Sequence, residues 1–373
     1  MTGRARAAEP VRAAVLREVG APPRVEEVEL DAPGPGQVRV RIAAAGVCHS
    51  DLSLARGTLR IPALPAVLGH EGAGHVVEVG PAVTGLAAGD PVLLNWSPSC
   101  GRCWFCRHGE PYLCEHSDDA THRPYGTLAD GTRVHPGLST GAFATETVVG
   151  RHACVPLPAD LPMEQAAVLG CAVLTGVGAV LNSARVRPGE SVVIFGLGGV
   201  GLSALQGARL AGAEPIIAVD PAESRWQLAR SLGAAEVLPP GRELGRSVRA
   251  LTGGRGADHA IECVGRAETV RAAWSVTRRG GRATIVGLGG PDDTVAFSAL
   301  ELPFFARTLA GCMFGSSDPA VDVPVLVEHV RAGRLDLAAL VTDTAPLDAV
   351  RDAFARMEAR QGARTVLLPG SAG

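Results

Sequence analysis

The sequence has 373 residues, 46% of them hydrophobic and 20% charged, so there is enough apolar material for a sizeable core and global disorder is excluded. At roughly 100–200 residues per domain, this length predicts two domains. A formal charge of −3 excludes a nucleic-acid binder working by bulk electrostatics, and all 35 basic residues are arginine, which excludes Schiff-base chemistry and a P-loop lysine.

Met1 to Pro10 carries arginines without an apolar core, so no secretory signal is expected there. Val25 to Glu29 and Val38 to Ala43 read as short strands around the turn segment Asp31 to Gly36. Gly74 to Val79 and Pro91 to Leu94 continue this strand-rich texture, and Leu128 to Thr132 reads as a turn. From about Ala172 the pattern changes. Strand-like Val192 to Phe195 precedes a helical stretch, Val200 to Leu210; strand-like Ile216 to Val219 precedes another, Glu223 to Leu232. Ala260 to Cys263 and Ala283 to Val286 extend the series. This alternation predicts a doubly wound parallel sheet, and hence an α/β protein. From about Val321 the chain reads as short helices and one last strand, Thr365 to Leu368. No uninterrupted apolar run approaches the roughly 18 residues of a membrane span, so a cytoplasmic, reducing location is expected. There, clustered cysteines bind metal rather than form disulfides.

Gly196-Leu-Gly198-Gly199-Val200-Gly201 fits G-x-G-x-x-G between an apolar strand and a helix, the context in which glycines let a backbone approach a pyrophosphate at a helix N-terminus. Asp220 ends the next strand. A carboxylate there accepts hydrogen bonds from the adenosine ribose and repels a 2′-phosphate, which favours NAD over NADP. Arg225 reads equally as a neighbour of the adenosine or as an exposed helix arginine.

Cys100, Cys103, Cys106 and Cys114 have the spacing C-x2-C-x2-C-x7-C, which suits a closed tetrahedral Zn²⁺ site. The last gap is too long for the bacterial ferredoxin run, and the loop's few basic residues, Arg102 and Arg107, speak against a nucleic-acid module. A second constellation is dispersed: Cys48-His49-Ser50-Asp51, then Gly69-His70-Glu71-Gly72, then Cys171. Spacing alone does not show that these converge.

Taken together, Gly46 to Asp51, Gly69 to Gly74, Cys100 to Cys114, Gly170-Cys171, Gly196 to Gly201 with Asp220, and Arg364-Thr365 resemble the zinc-dependent medium-chain alcohol dehydrogenases, in that family's order and across nearly the whole chain. The resemblance implies a Rossmann domain inserted in a strand-rich, GroES-like catalytic domain, with 1–174 and 316–373 catalytic and 175–315 coenzyme-binding. It implies two zincs per chain. Cys48, His70 and Cys171 would hold the catalytic one, with Glu71 beside it and Asp51 orienting His70; the four clustered cysteines would hold the structural one. It implies NAD-linked, reversible oxidation of a small alcohol to its aldehyde, with Ser50 passing the hydroxyl proton to the nicotinamide ribose. Thr175 would lie beside the nicotinamide, Arg364 on the pyrophosphate, and Trp96 would form an aromatic wall that favours primary alcohols.

The chain departs from the family pattern at two positions. Ser53 stands where many members have histidine, so the proton relay is expected to end on water. His49 stands where many have the pyrophosphate-facing arginine, so NAD(H) affinity is expected to fall as pH rises through its pKa. The long segment from Cys114 to Cys171 resembles the dimeric branch, with Ala283 to Val286 as the central sheet's last strand and a homodimer edge near Leu309 to Phe314. Cys154, Cys263 and Cys312 are left to packing. The alternative substrate within the family is an S-hydroxymethyl adduct of glutathione or mycothiol, for which Arg123 or Arg133 would be the pocket-mouth cation. All seven zinc-ligand positions are present, which speaks against the zinc-free quinone reductase branch and against a non-catalytic scaffold.

Overall fold

The computed structural model describes residues 10–371; of the N-terminal stretch without a signal-like core, all but Pro10 lies outside the described residues. In chain order the strands are β1 Val11–Leu16, β2 Arg24–Leu30, β3 Gln37–Gly46, β4 Ala66–Val67, β5 Glu71–Val79, β6 Pro91–Leu94, β7 Gly126–Leu128, β8 Arg133–Pro136, β9 Glu146–Gly150 and β10 Cys154–Pro156. A second series follows: β11 Val192–Phe195, β12 Ile216–Val219, β13 Glu236–Leu238, β14 Ala257–Glu262, β15 Thr277–Ile285, β16 Thr308–Gly311, β17 Val341–Pro346 and β18 Arg364–Leu368.

Three sheets result. β1, β2, β7, β8 and β4 close a small barrel; β10, β6, β5, β3, β18 and β17 form a second sheet, with β9 on β3; and β13-β12-β11-β14-β15-β16 form the third. Every pairing in the third sheet is parallel, and its inner strands β11 and β12 are buried along their whole length, as a sheet covered on both faces requires. Chain order reverses about β11, so a crevice opens at the carboxyl ends of β11 and β14, where α/β sheets bind ligands. β18 lies antiparallel to β3 and parallel to β17, so the C-terminal segment rejoins the sheet built by the first third of the chain.

The largest apolar cluster spans both halves. Ala44, Ala73 and Leu93 of the second sheet share it with Leu174 and Val177 of the helix Ala172–Gly178, Leu202 of the helix Gly199–Leu210, and Ile194 of β11. The two helices approach closely because Gly176 has no side chain: a Cβ there would lie 2.3 Å from the Val200 carbonyl oxygen. Among the described residues no single helix is long and apolar enough to cross a membrane. One bent pair, Met163–Gly170 with Ala172–Ala184, passes on composition, but many of its apolar side chains pack in this shared core.

Several sequence expectations need correction. Ala283 to Val286 coincides with the end of β15 (Thr277–Ile285), which is not the last strand of the parallel sheet; β16 is, and its three exposed residues and one half-buried one carry no apolar period. The tail contributes two strands rather than one, since β17 alternates only half-buried and exposed positions. The stretch Glu223 to Leu232 opens with a 3-10 turn, Glu223–Arg225, before the α-helix Trp226–Ser231.

Candidate active site

Cys48 precedes the helix His49–Arg56, His70 lies just before β5, Glu71 opens β5, and Cys171 precedes the helix Ala172–Gly178. All four are buried, and one donor atom from each lies within 4.8 Å of the others. Asp51 fixes the imidazole: its Oδ2 is 2.9 Å from His70 Nδ1, while its Oδ1 accepts the Gly69 amide at 2.9 Å. That leaves Nε2 to face the sulfurs, the usual orientation of a metal-binding histidine held by a carboxylate. The turn before His70 requires glycine, because Gly69 has φ +92° and a Cβ there would meet the Phe143 amide nitrogen at 2.4 Å.

The electrostatics match a cation site. Cys48 is drawn well below the ordinary thiol range, first by a hydrogen bond from Cys171 and then by Arg364 and His70, and Cys171 is pushed up in return. Burial pushes Glu71 up to about 8 against the pull of Arg364. Two sulfurs, an imidazole and a carboxylate, dry and converging, form a donor set suited to Zn²⁺. Sequence reasoning placed Glu71 only near the metal; the structure makes it a fourth possible ligand. Gly46 makes room for it, since a Cβ there would lie 2.2 Å from Glu71 Oε2.

The second sulfur cluster lies in one loop. The sulfurs of Cys100, Cys103, Cys106 and Cys114 are mutually within 4.8 Å. Backbone amides donate to them: Cys100 N–H to Cys114 Sγ at 3.2 Å, Cys103 N–H to Cys100 Sγ at 3.3 Å, and His116 N–H to Cys114 Sγ at 3.4 Å. The Arg102 and Cys103 amides help draw Cys100 down to about 6, whereas burial pushes Cys106 up to about 12. Amides aimed at sulfur stabilise thiolates, and four thiolates with no open position suit a structural zinc.

The coenzyme loop joins β11 to the helix Gly199–Leu210. Gly196 has φ +87°, and a Cβ on Gly201 would come within 1.7 Å of the Gly196 carbonyl oxygen, so the turn admits only glycine at both positions. Gly198 caps the helix with extended backbone, and Gly199 and Val200 line the cleft. Asp220, just past β12, accepts the Leu197 amide on Oδ2 and the Ala222 amide on Oδ1, both at 2.7 Å. Arg225 Nη1 is 3.9 Å from Asp220, and its Nε donates to the Gly362 carbonyl at 3.0 Å; it lines the cleft rather than standing free on its helix.

Arg364, buried at the start of β18, joins the two sites. Its Nη1 donates to the Val47 carbonyl at 2.7 Å and its Nη2 lies 3.3 Å from Glu71 Oε1. A Cβ on Gly199 would lie 2.5 Å from that same Nη2, so the guanidinium rests over the glycine loop.

One cleft of about 1090 Å³ connects these groups. It is lined by Cys48, His49, Ser50, His70, Cys171 and Thr175 at one end and by Asp220 and Arg225 at the other. Ser50 Oγ lies 3.9 Å from Cys48 Sγ. His49 lines the cleft and has its pKa lowered, first by desolvation against the cleft wall and then by the charges of Arg364 and Arg225. Trp96 stands edge-on to His70, with ring centres 6.0 Å apart, and packs on Phe314 at 4.9 Å. Ser53 also lines the cleft. Two further expectations are corrected here. Cys263 and Cys312 line the cleft rather than serving packing alone, because they follow the carboxyl ends of β14 and β16. Neither Arg123 nor Arg133 lines it, and Arg133 is paired with Asp31 at 2.5 Å. Arg60 is among the arginines that do, and nothing local in the sequence distinguishes it from any surface arginine.

A dinucleotide crevice opening onto a buried sulfur–imidazole cluster defines a zinc- and nicotinamide-linked oxidoreductase. Residues 34–159 match the alcohol dehydrogenase GroES-like domain and residues 199–329 the zinc-binding dehydrogenase domain. A putative alcohol dehydrogenase D of Mycobacterium tuberculosis is 37% identical over 95% of this chain and 99% of its own. An S-(hydroxymethyl)glutathione dehydrogenase of Synechocystis is 36% identical over 95% and 99%. The crystal structure of benzyl alcohol dehydrogenase from Acinetobacter calcoaceticus superposes with a TM-score of 0.89 at 31% identity, covering 96% of this chain and 99% of that one. The chain belongs to the zinc-dependent medium-chain alcohol dehydrogenase family.

Proposed function

We propose that the protein is an NAD-dependent alcohol dehydrogenase that interconverts a primary alcohol and its aldehyde. The observation that carries this reading is a single cleft running from Asp220 to the Cys48–His70–Cys171 cluster, with Ser50 beside the latter. Zinc held by those three residues supplies a Lewis acid that lowers the pKa of the substrate hydroxyl. Ser50 is placed to take the hydroxyl proton and hand it outward, and Thr175 borders the part of the cleft where a bound nicotinamide would supply the hydride acceptor. Asp51 holds His70 in one tautomer throughout. Arg364, His49 and the amides at the start of the helix Gly199–Leu210 receive the pyrophosphate. Asp220 faces the adenosine ribose, where a 2′-phosphate meets a carboxylate, and this supports NAD over NADP.

The same reading takes 1–174 with 316–373 as the catalytic unit and 175–315 as the coenzyme unit, supported by the pairing of β17 and β18 into the sheet of β3. It takes two copies to join along β16, where Thr308 and Leu309 are exposed on the sheet's outer edge. The test is a substrate panel run with NAD and with NADP. NAD should be preferred, and kcat/KM for 1-butanol should exceed that for 2-butanol because Trp96 crowds a branched carbinol. Preference for NADP or for the secondary alcohol would overturn the corresponding part of the reading.

A further inference from the structure

The helix that begins after Cys171 changes pitch two turns on. Ala172–Gly178 is α-helical and continues without a break as a π-turn, Ala179–Ala184. A π-turn inside a helix frequently marks a functional position, because it rotates the following side chains off the regular face. Here the rotated side chains are Asn182 and Ser183, and they meet the segment that follows β16. Asn182 Nδ2 donates to the Gly315 carbonyl at 3.3 Å, and Ser183 Oγ lies 2.8 Å from Ser316 Oγ and 3.2 Å from Cys312 Sγ. Neither Asn182 nor Ser183 lines the cleft.

What they grip is strained. Phe314, Gly315 and Ser316 have φ of +50°, +69° and +49°, three successive residues in the left-handed region, and two of them carry a Cβ. A Cβ disfavours that conformation, so such a run persists only where its surroundings impose it. The helix imposes it along its length. A Cβ on Gly178 would lie 2.4 Å from the Gly315 carbonyl oxygen, and a Cβ on Gly315 would lie 2.2 Å from the Leu174 carbonyl oxygen. Ser317 Oγ donates to that same Leu174 carbonyl at 3.3 Å. The turn decides where Phe314 sits. Its ring is buried at the cleft wall and packs on Trp96 at 4.9 Å, and Trp96 stands against His70.

We infer that Asn182 and Ser183 are positioning residues that set which alcohols the site accepts. By holding the left-handed turn they keep Phe314 pressed on Trp96, and so keep the cleft beside the sulfur cluster too narrow for a branched carbinol. This rests on the proposed alcohol dehydrogenase activity and locates its preference for primary alcohols in two side chains behind the aromatic wall. One helix carries Thr175 on the cleft directly after Cys171 and, at its far end, the clamp on that wall. The spacing between the metal cluster and the wall is thus built into a single rigid element, as a site held to a fraction of an ångström requires.

The experiment uses the zinc-loaded wild type, Ser183→Ala, Asn182→Ala and Ser183→Thr, the last of which keeps the hydroxyl. kcat and KM with NAD are read for 1-butanol and 2-butanol, and deuterium exchange is followed in the peptide spanning 312–317, where no turnover is needed. Both alanine variants should lower the ratio of kcat/KM for 1-butanol to that for 2-butanol by about fivefold or more, through a smaller KM for 2-butanol, with kcat for 1-butanol within about threefold. Exchange in the peptide should speed up by about tenfold, and Ser183→Thr should restore both readings. In a Phe314→Leu background, Ser183→Ala should leave the ratio where Phe314→Leu put it, because the clamp acts through that ring. Equal losses for both alcohols, an unchanged ratio, unchanged exchange, or no recovery in Ser183→Thr overturns the inference. So does a shift that persists undiminished on top of Phe314→Leu. If the wild type oxidises neither alcohol the activity reading fails, and exchange alone then decides whether the two side chains hold the turn, an unchanged rate in both alanine variants overturning the clamp as well.

Discussion

Gly199→Ala tests whether Arg364 couples the coenzyme loop to the sulfur cluster. The added methyl would lie 2.5 Å from Arg364 Nη2 and 2.8 Å from Cζ and Nε, closer than side-chain carbons approach such atoms. The helix backbone cannot yield, because Gly201 is already pressed against the Gly196 carbonyl. The guanidinium must move, and it is held by a 2.7 Å bond to the Val47 carbonyl and a 3.3 Å approach to Glu71. Losing one charge-assisted bond of this kind costs about 1.5–3 kcal/mol, or roughly 10- to 150-fold in an equilibrium constant. That loss falls on the coenzyme-free protein, whose thermal midpoint should drop by several degrees, and NADH affinity, followed by its fluorescence on binding, should fall as well because the guanidinium no longer rests over the glycine loop. The decisive control is Arg364→Gln. If the methyl acts through the guanidinium, Gly199→Ala adds little to Arg364→Gln, since the two changes remove one interaction. Full additivity, or unchanged NADH affinity in Gly199→Ala, refutes the coupling.

Asp51→Asn keeps the shape but loses the charge that orients His70, and competition with a chelator should show zinc at the Cys48 cluster held about 10- to 100-fold more weakly. Cys103→Ser removes one of four closed-site thiolates; metal analysis should drop from two zincs per chain to one, with a lower melting temperature and the Cys48 cluster still loaded. A third prediction concerns acid stability at Asp258, distant from both metal clusters. Burial alone would raise its pKa, but the Ser191 hydroxyl and amide and the Arg278 guanidinium hold it at about 2. A folded value below the unfolded one means that this stabilisation is present above pH 4 and lost as pH falls through about 2, and with the side chain 21% exposed it amounts to at most about 2 kcal/mol. Urea midpoints of wild type and Asp258→Asn should therefore converge between pH 5 and pH 2.5; a constant gap contradicts the assignment.

What was legible in the sequence was local. The strand, glycine turn and helix from Val192 to Leu210 announce themselves because one stretch of chain does all the work, and the four-cysteine loop is legible because its ligands fall within fifteen residues. The Cys48 cluster was visible only by resemblance. Its ligands come from two helix starts and the entry to β5, and no spacing rule links elements brought together by a shared core. Short barrel strands such as two-residue β4 carry no period to detect. β16 and β17 escaped notice because edge strands are half exposed.

Buried charge explains why the two halves of the cleft cannot be separated. Around the catalytic cluster lie two buried sulfurs and two buried carboxylates, Asp51 on His70 and Glu71 beside Arg364. Arg364 pairs with Glu71 at 3.3 Å, and a bound dication would offset further negative charge in the group. Isolated buried ions cost several kcal/mol each, which leaves Arg364 no freedom to drift toward solvent. Its guanidinium is therefore held where the glycine loop passes, over Gly199, where the proposed pyrophosphate site would meet a cation already fixed by Glu71 and the Val47 carbonyl. A lysine in its place would be a single point charge on a flexible stem, unable to address the Val47 carbonyl, Glu71 and the glycine loop from one rigid plane.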